Sequence, residues 1–169
     1  ASLPGVFTTY DYQYEFLGVR GFGLPGDLTT RVLITINGNR INDATYDQGP
    51  TGRDFPLDID LIERIEFIPG PGSAVYGQNA MLGVVNIVTR KGSSVNGAEV
   101  SASYQTAEMM PQERVTLGKK FDNGIDALIS FSGVQARGAN HFFEFGDSNI
   151  AGIARHMDGE NVKQMFAQA

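Results

Sequence analysis

The 169-residue sequence contains no cysteine. That excludes disulfides and thiolate metal sites and leaves the redox compartment open. Long hydrophobic runs are also missing. Residues 80–88 come nearest, and Gly83 and Asn86 interrupt them. A membrane-spanning helix needs about 20 consecutive apolar residues, so none is encoded. Positive charge is scarce: 13 Lys and Arg stand against 19 Asp and Glu, a formal net charge of −6. An acidic chain repels phosphate backbones, which argues against nucleic acid as a partner. Charged residues amount to 19%, below a usual ~25%. What is abundant is glycine, at 21 residues. Such a composition is turn-rich and leans toward β structure, unlike a helical bundle or a disordered acidic tail.

Residues 1–92 and 93–169 read differently, with Lys91-Gly92-Ser93-Ser94 as the joint. Charge does not separate them, since each part carries −3; periodicity does. In the first part, short apolar runs are punctuated by glycine. Val32 to Ile36 is a strand by its β-branched content. Asn37-Gly38 then predicts a hairpin turn, because both central positions need positive φ, with a short return strand over residues 40–42. Pro56 opens a helical turn that puts Leu57, Ile59, Leu61 and Ile62 partly on one face. Residues 63–68 alternate, placing Ile65 and Phe67 on a buried face and Arg64 and Glu66 on the other. Residues 84–89 are apolar on both faces apart from Asn86, as a central strand requires.

The second part has a period of two. Ala98, Val100, Ala102 and Tyr104 share a face opposite Glu99, Ser101 and Ser103. Val115, Leu117 and Phe121 oppose Arg114, Thr116 and Lys120. After the tight turn Asp122-Asn123-Gly124, Ile125, Ala127, Ile129 and Phe131 oppose Asp126, Ser130 and Ser132, with Leu128 an exception. These segments match the ~9–11 residues of a membrane β-strand. A soluble antiparallel sheet with one wet face would show the same alternation. Residues 138–163 lack a sustained period and are expected to form a long loop, with a strand starting at Gln164.

Candidate chemistry is thin. Gly21-Phe22-Gly23-Leu24-Pro25-Gly26 fits the dinucleotide pattern GxGxxG, which works only where a helix N-terminus follows. Pro25 and the β-branched stretch after it forbid that helix. His141, Glu144 and Asp147 can be drawn as metal ligands, but an exposed loop supplies no fixed geometry. Ser73 lacks the second glycine of a nucleophile elbow. Asp58 with Asp60 and Glu63 with Glu66 are paired carboxylates with nothing to mark a cleft. Glu63, Arg64 and Glu66 fit ion pairs on a sheet surface better. The chain is therefore expected not to be an enzyme and to carry no catalytic residue, metal or cofactor.

Four stretches fall in order and register: Gly18-Val19-Arg20-Gly21-Phe22-Gly23; residues 32–41 (VLITINGNRI); residues 62–77 (IERIEFIPGPGSAVYG); and residues 80–90 (AMLGVVNIVTR). Together they resemble the plug domain of TonB-dependent outer-membrane receptors over about residues 4–92. Such plugs sit inside a barrel of about 22 strands. The resemblance implies an α+β fold: a small mixed-sheet plug domain with long loops over 1–92, then the first antiparallel strands of a truncated transmembrane β-barrel over 93–169. The barrel part would hold about three strands, a long loop and the beginning of a fourth. A full barrel needs ~220 residues in strands alone, and 77 residues follow Gly92. The segment that contacts TonB has no counterpart in residues 1–10, so the chain reads as a fragment.

The resemblance further implies the gating and ligand-sensing portion of an active importer in the outer membrane of a Gram-negative bacterium. Its cargo would be a scarce nutrient such as a ferric siderophore, haem or cobalamin. Partners would be the rest of its own barrel, TonB with ExbB and ExbD, a small-molecule ligand such as a metal chelate, and outer-membrane lipid. Arg20 would pair with barrel glutamates, alongside the gating group Glu63, Arg64 and Glu66. The family's third motif carries an arginine before Gly-Pro; Pro69 stands there instead, which removes one such ion pair. The apical loops would present Gly23, Asp27, Tyr46, Asp47, Gln48 and Arg53 to ligand. Two other readings are a signalling-type receptor plug and a soluble β-rich binding or adhesin module.

Overall fold

The computed structural model describes residues 4–11, 14–23, 26–106, 109–144 and 151–169. The chain divides after Arg90 into two compact units. The first opens with an antiparallel hairpin of β1 (Val6–Asp11) and β2 (Tyr14–Val19). Phe7 lies directly opposite Gly18, and its ring covers the space a Cβ at Gly18 would take. A mixed sheet follows, built from β3 (Val32–Ile36), β4 (Asn39–Arg40), β5 (Ile62–Pro69) and β6 (Gly83–Thr89) in the order β4-β3-β6-β5. β3 and β6 run parallel, and the other pairs are antiparallel. The β3–β4 turn has φ of 50° at Asn37 and 81° at Gly38, the geometry that Asn-Gly favours. Two 3-10 turns (Gly52–Asp54 and Ile59–Leu61) and one helical turn, α1 (Ser73–Tyr76), complete the unit.

Three local expectations change. The helical turn starts after Asp58 rather than at Pro56, because the Asp58 carboxylate accepts the Asp60 N–H at 3.0 Å and caps it. Leu57 and Leu61 are buried from it, while Ile59 points out, 74% exposed. Ile65 stays exposed as well, on the edge strand β5, while Phe67 of the same face is half-buried. The return strand is β4, ending at Arg40. The centre of the unit is Leu33, Ala80 and Val84, flanked by Val32, Ile34 and Ile87.

The second unit begins with a helical turn, α2 (Gly92–Val95), and continues with β7 (Gly97–Gln105), β8 (Met110–Lys120) and β9 (Asp126–Ala136). α2 rests directly on the sheet. A Cβ on Gly92 would collide with the Ala127 carbonyl, and one on Gly118 would stand 2.7 Å from the Gly92 oxygen. Only glycine permits such backbone contact. The expected loop over residues 138–163 is instead a hairpin of β10 (Asn140–Glu144) and β11 (Ala151–Arg155), followed by a full strand, β12 (Glu160–Gln168). β12 pairs with β9 along its whole length, giving the sheet order β12-β9-β8-β7. Its early outward residues, Asn161 and Lys163, are polar and hide the period from a hydrophobicity pattern; the ladder with β9 imposes it.

Side-chain polarity in this sheet is inverted. Val100, Val115, Phe131 and Met165 form one cross-strand row, and all are exposed. On the opposite face Arg114, Thr116, Leu128 and Ser130 are buried. The placement of Leu128 resolves its exception to the alternation: it sits on the polar face.

Candidate functional site

The loops of the first unit are held by side-chain amides. Asp43 closes residues 43–48: its carboxylate accepts the Thr45 and Tyr46 N–H groups at 2.8 and 2.7 Å, and its own N–H donates to the Gln48 carbonyl at 2.9 Å. Asp47, in the left-handed region at φ 59°, is the hub. Its carboxylate accepts from Arg40 at 3.1 Å and from Gln78 at 2.7 Å. Its carbonyl accepts from Asn42 at 3.3 Å and from Asn79 at 3.0 Å. Arg40 also bonds the Asn79 side-chain oxygen, and Asn79 donates to the Thr30 carbonyl. Asn42 reaches back to β3, accepting the Ile34 N–H at 2.7 Å. A cradle of Arg40, Asn42, Gln78 and Asn79 thereby fixes the shape of this loop, leaving the Tyr46 ring 74% exposed at its surface.

Gly23, Asp27 and Gln48 have structural partners of their own. Gly23 at φ 138° backs onto Gly18 so closely that a Cβ would strike that backbone. Asp27 pairs with Arg31 and accepts from the Thr30 hydroxyl at 3.1 Å. Gln48 is half-buried. Arg53 is the middle residue of the 3-10 turn Gly52–Asp54. The two loops meet where the Gly49 N–H donates to the Leu28 carbonyl at 3.1 Å. Tyr46 is thus displayed by its loop, and Asp47 does the displaying.

A second polar cluster crosses the mixed sheet. Arg64 bonds Glu66 at 2.8 Å and Glu63 at 3.2 Å. The second Glu66 oxygen accepts from Asn86 at 2.9 Å. The Asn86 oxygen in turn accepts from the Thr35 hydroxyl at 2.8 Å and the Gly38 N–H at 3.0 Å. The Asn86 bond, and after it the Arg64 guanidinium, hold the Glu66 carboxyl below its ordinary range. Asn86 therefore ties β5 to β3 and to the Asn37-Gly38 turn. The lone polar residue in an otherwise apolar strand was the sequence signal for it. Arg20 lies outside both clusters: it is exposed, at φ 52°, with its N–H donating to the Gly5 carbonyl at 2.7 Å.

On the polar face of the second unit, Arg114 bonds Glu99 and the Thr116 hydroxyl, each at 2.7 Å, and Thr116 meets Ser130 at 2.8 Å. At the neck of the β10–β11 hairpin, His141 Nε2 contacts Asp158 at 2.9 Å, and the Ala139 N–H donates to the same carboxylate at 2.9 Å. These bonds, led by that of His141, lower the Asp158 pKa. Among the described residues no group of three or more His, Cys, Asp or Glu is placed to hold a metal ion. No helix among them is long and apolar enough to cross a membrane, which leaves crossing by strands open.

A small mixed sheet crowded with loops is followed by a four-stranded antiparallel sheet that carries an exposed apolar row. Residues 1–84 match the TonB-dependent Receptor Plug Domain family, and that segment is such a plug. Two solved structures are similar. The FrpB iron transporter from Neisseria meningitidis (F5-1 variant, apoprotein form) superposes with a TM-score of 0.66 at 19% identity, covering 97% of this chain and 25% of that one. The ferric enterobactin receptor PfeA, in complex with BCV-L6, gives 0.52 at 22% identity, covering 79% of this chain and 21% of that one. At these identities the likeness is one of fold. The chain spans a quarter or less of the length of either.

Proposed function

We propose that this chain is the plug and first barrel strands of a TonB-dependent importer for an iron chelate in the outer membrane of a Gram-negative bacterium. The observation that carries the reading is the join within one chain: a plug-family segment followed by strands whose apolar row, Val100 to Met165, faces out. Lipid rewards that polarity, whereas water penalises it. The plug blocks the pore at rest. Energy reaches it from the inner-membrane proton gradient through TonB, ExbB and ExbD. The work is transport, with no bond made or broken.

Within this reading Tyr46 meets the chelate with its flat amphipathic ring. Arg53 supplies a cation for an anionic ligand, and Asp47 with Gln48 hold the loop that presents them. Arg20 pairs with carboxylates of the surrounding barrel wall, since an unpaired buried guanidinium costs several kcal/mol. The test is uptake by the complete receptor in cells lacking their own ferric receptors. Radiolabelled ferric enterobactin, haem and cobalamin are offered in parallel, with and without TonB. Uptake of an iron compound that disappears without TonB supports the reading. Uptake indifferent to TonB overturns it, and uptake of cobalamin alone moves the cargo away from iron.

A further inference from the structure

The sequence contains the dipeptide Asn-Gly at three places: Asn37-Gly38, Asn96-Gly97 and Asn123-Gly124. Asn-Gly is the dipeptide most prone to cyclise, because glycine presents no Cβ to hinder its nitrogen from reaching the asparagine side chain. Identical local chemistry makes the three sites equal in an unfolded chain. The fold makes them unequal.

At Asn37 both reacting groups are held. Its Nδ2 donates to Thr89 Oγ1 at 2.8 Å, and its Oδ1 accepts the Thr89 N–H at 2.9 Å. The Gly38 nitrogen, which must be the nucleophile, donates to Asn86 Oδ1 at 3.0 Å. At Asn123 the side-chain oxygen accepts the Ile125 N–H at 3.1 Å, and the Gly124 N–H donates to the Phe121 carbonyl at 3.0 Å. Asn96 differs. It is exposed, and its side-chain amide makes no hydrogen bond among the described residues. Nothing stands within 4 Å of the place a Cβ on Gly97 would occupy. Asn96 is held by its backbone, through the N–H that donates to the Gly92 carbonyl at 2.8 Å, and Gly97 opens β7 opposite Gly118, so the contrast with the other two sites lies in the unheld side-chain amide.

We propose that Asn96 is a site of spontaneous deamidation, with water as the co-reactant, while the same dipeptide at Asn37 and Asn123 is protected by the fold. The Gly97 nitrogen attacks Asn96 Cγ and forms the N–Cγ bond of a five-membered succinimide. The Cγ–Nδ2 bond breaks, and ammonia leaves carrying the proton from the Gly97 nitrogen. Water then opens the ring at one of its two carbonyls. One opening yields aspartate. The other yields isoaspartate, in which the main chain runs through the former side chain and is one methylene longer. Either product adds a negative charge where α2 ends and β7 begins. The isoaspartate also changes the chain length between the Gly92–Gly118 contact and the first rung of the β7–β8 ladder.

The experiment incubates the chain in detergent micelles at mildly alkaline pH and follows all three positions by peptide mapping that resolves aspartate from isoaspartate. A parallel sample in denaturant gives the unfolded rate at each position. Asn96 should convert in the folded chain at close to its unfolded rate. Asn37 and Asn123 should each be slowed at least about tenfold, equivalent to ~1.4 kcal/mol on the barrier. Conversion of Asn37 or Asn123 as fast as that of Asn96 in the folded chain overturns the proposal, and so does equal protection of all three. The Thr89→Val variant removes the Oγ1 that accepts from Asn37 Nδ2 and keeps the backbone N–H that donates to Asn37 Oδ1. It should raise the Asn37 rate and leave that of Asn96 unchanged; a rise at Asn96 instead would overturn the assignment of protection to these bonds.

Discussion

In the first unit Leu33, Ala80 and Val84 lie inside and the charged triad Glu63, Arg64 and Glu66 lies outside. In the second, Arg114, Thr116 and Ser130 lie inside while Val115, Phe131 and Met165 lie outside. Both units are sheets of alternating strands, so the same period of two accompanies opposite placements of apolar and polar side chains. Alternation tells which residues share a face. It does not say which face meets water. A plug needs only a small apolar centre, because amide and carboxylate side chains brace its loops. A strand in a bilayer needs the reverse, because its outer face meets hydrocarbon.

The contrast can be broken most strongly at the centre of the plug. Leu33→Ala should lower the unfolding free energy of the first unit by about 2–5 kcal/mol, as for other large-to-small core changes. Urea denaturation followed by circular dichroism would read it, and a loss well below that range would mean that the plug has no apolar core worth the name. The corresponding break in the second unit is on its outside. Phe131→Arg should cost about 2–4 kcal/mol when the complete receptor is unfolded from lipid vesicles. Tyr46→Arg, also at an exposed position but in the first unit, should stay within about 0.5 kcal/mol. Equal effects of the two would remove the distinction between a lipid face and a water face.

A smaller effect sharpens how the plug is braced. Asn86→Leu leaves the Gly38 N–H without its acceptor and the Thr35 hydroxyl with only the longer contact to the Val85 carbonyl, at 3.4 Å, a loss of about 1–3 kcal/mol if no water replaces Asn86. The same variant should raise the Glu66 pKa, readable by NMR titration of its carboxyl, because the largest cause of its depression is gone. An unchanged pKa would show that Arg64 alone sets it.

The smallest effect concerns the hairpin neck. The Asp158 pKa is lowered in the folded chain, chiefly by His141. The native state therefore binds fewer protons there than the unfolded state, and the contribution to stability is present above the ordinary aspartate value of about 3.9. It is lost as pH falls through the lower, folded value. Hydrogen exchange at the Ala139 amide should quicken over that acid range in the wild type, and the dependence should vanish in Asp158→Asn. Acid-insensitive exchange in the wild type would contradict the clasp.

Much of the fold was legible locally. The strand over Val32–Ile36, the Asn37-Gly38 turn, the central strand ending at Thr89 and the long strands of the second unit all follow from β-branched content, turn chemistry and period. β12 was not, because Asn161 and Lys163 interrupt the apolar pattern and only its ladder with β9 defines it. The candidate site was legible only as a loop. Tyr46 and Asp47 looked alike as polar groups for a ligand, yet one is displayed and the other is consumed by Arg40, Gln78, Asn42 and Asn79. Those partners were not named from sequence, since nothing local joins residue 47 to residues 78 and 79.

The sequence by itself determined most of the strands and the Asn-Gly turns, which residues share a face, and the resemblance to receptor plugs. These depend on backbone preferences and spacing over a few residues. Only the tertiary structure decided the order β4-β3-β6-β5, with its parallel pairing of β3 and β6. It likewise decided the bond from Thr35 to Asn86, the cradle around Asp47 and the unequal hydrogen bonding of three identical Asn-Gly pairs. Each of these joins groups that are distant in sequence. A hydrogen bond acts over about 3 Å, so its partner is known only once the chain has been brought back on itself.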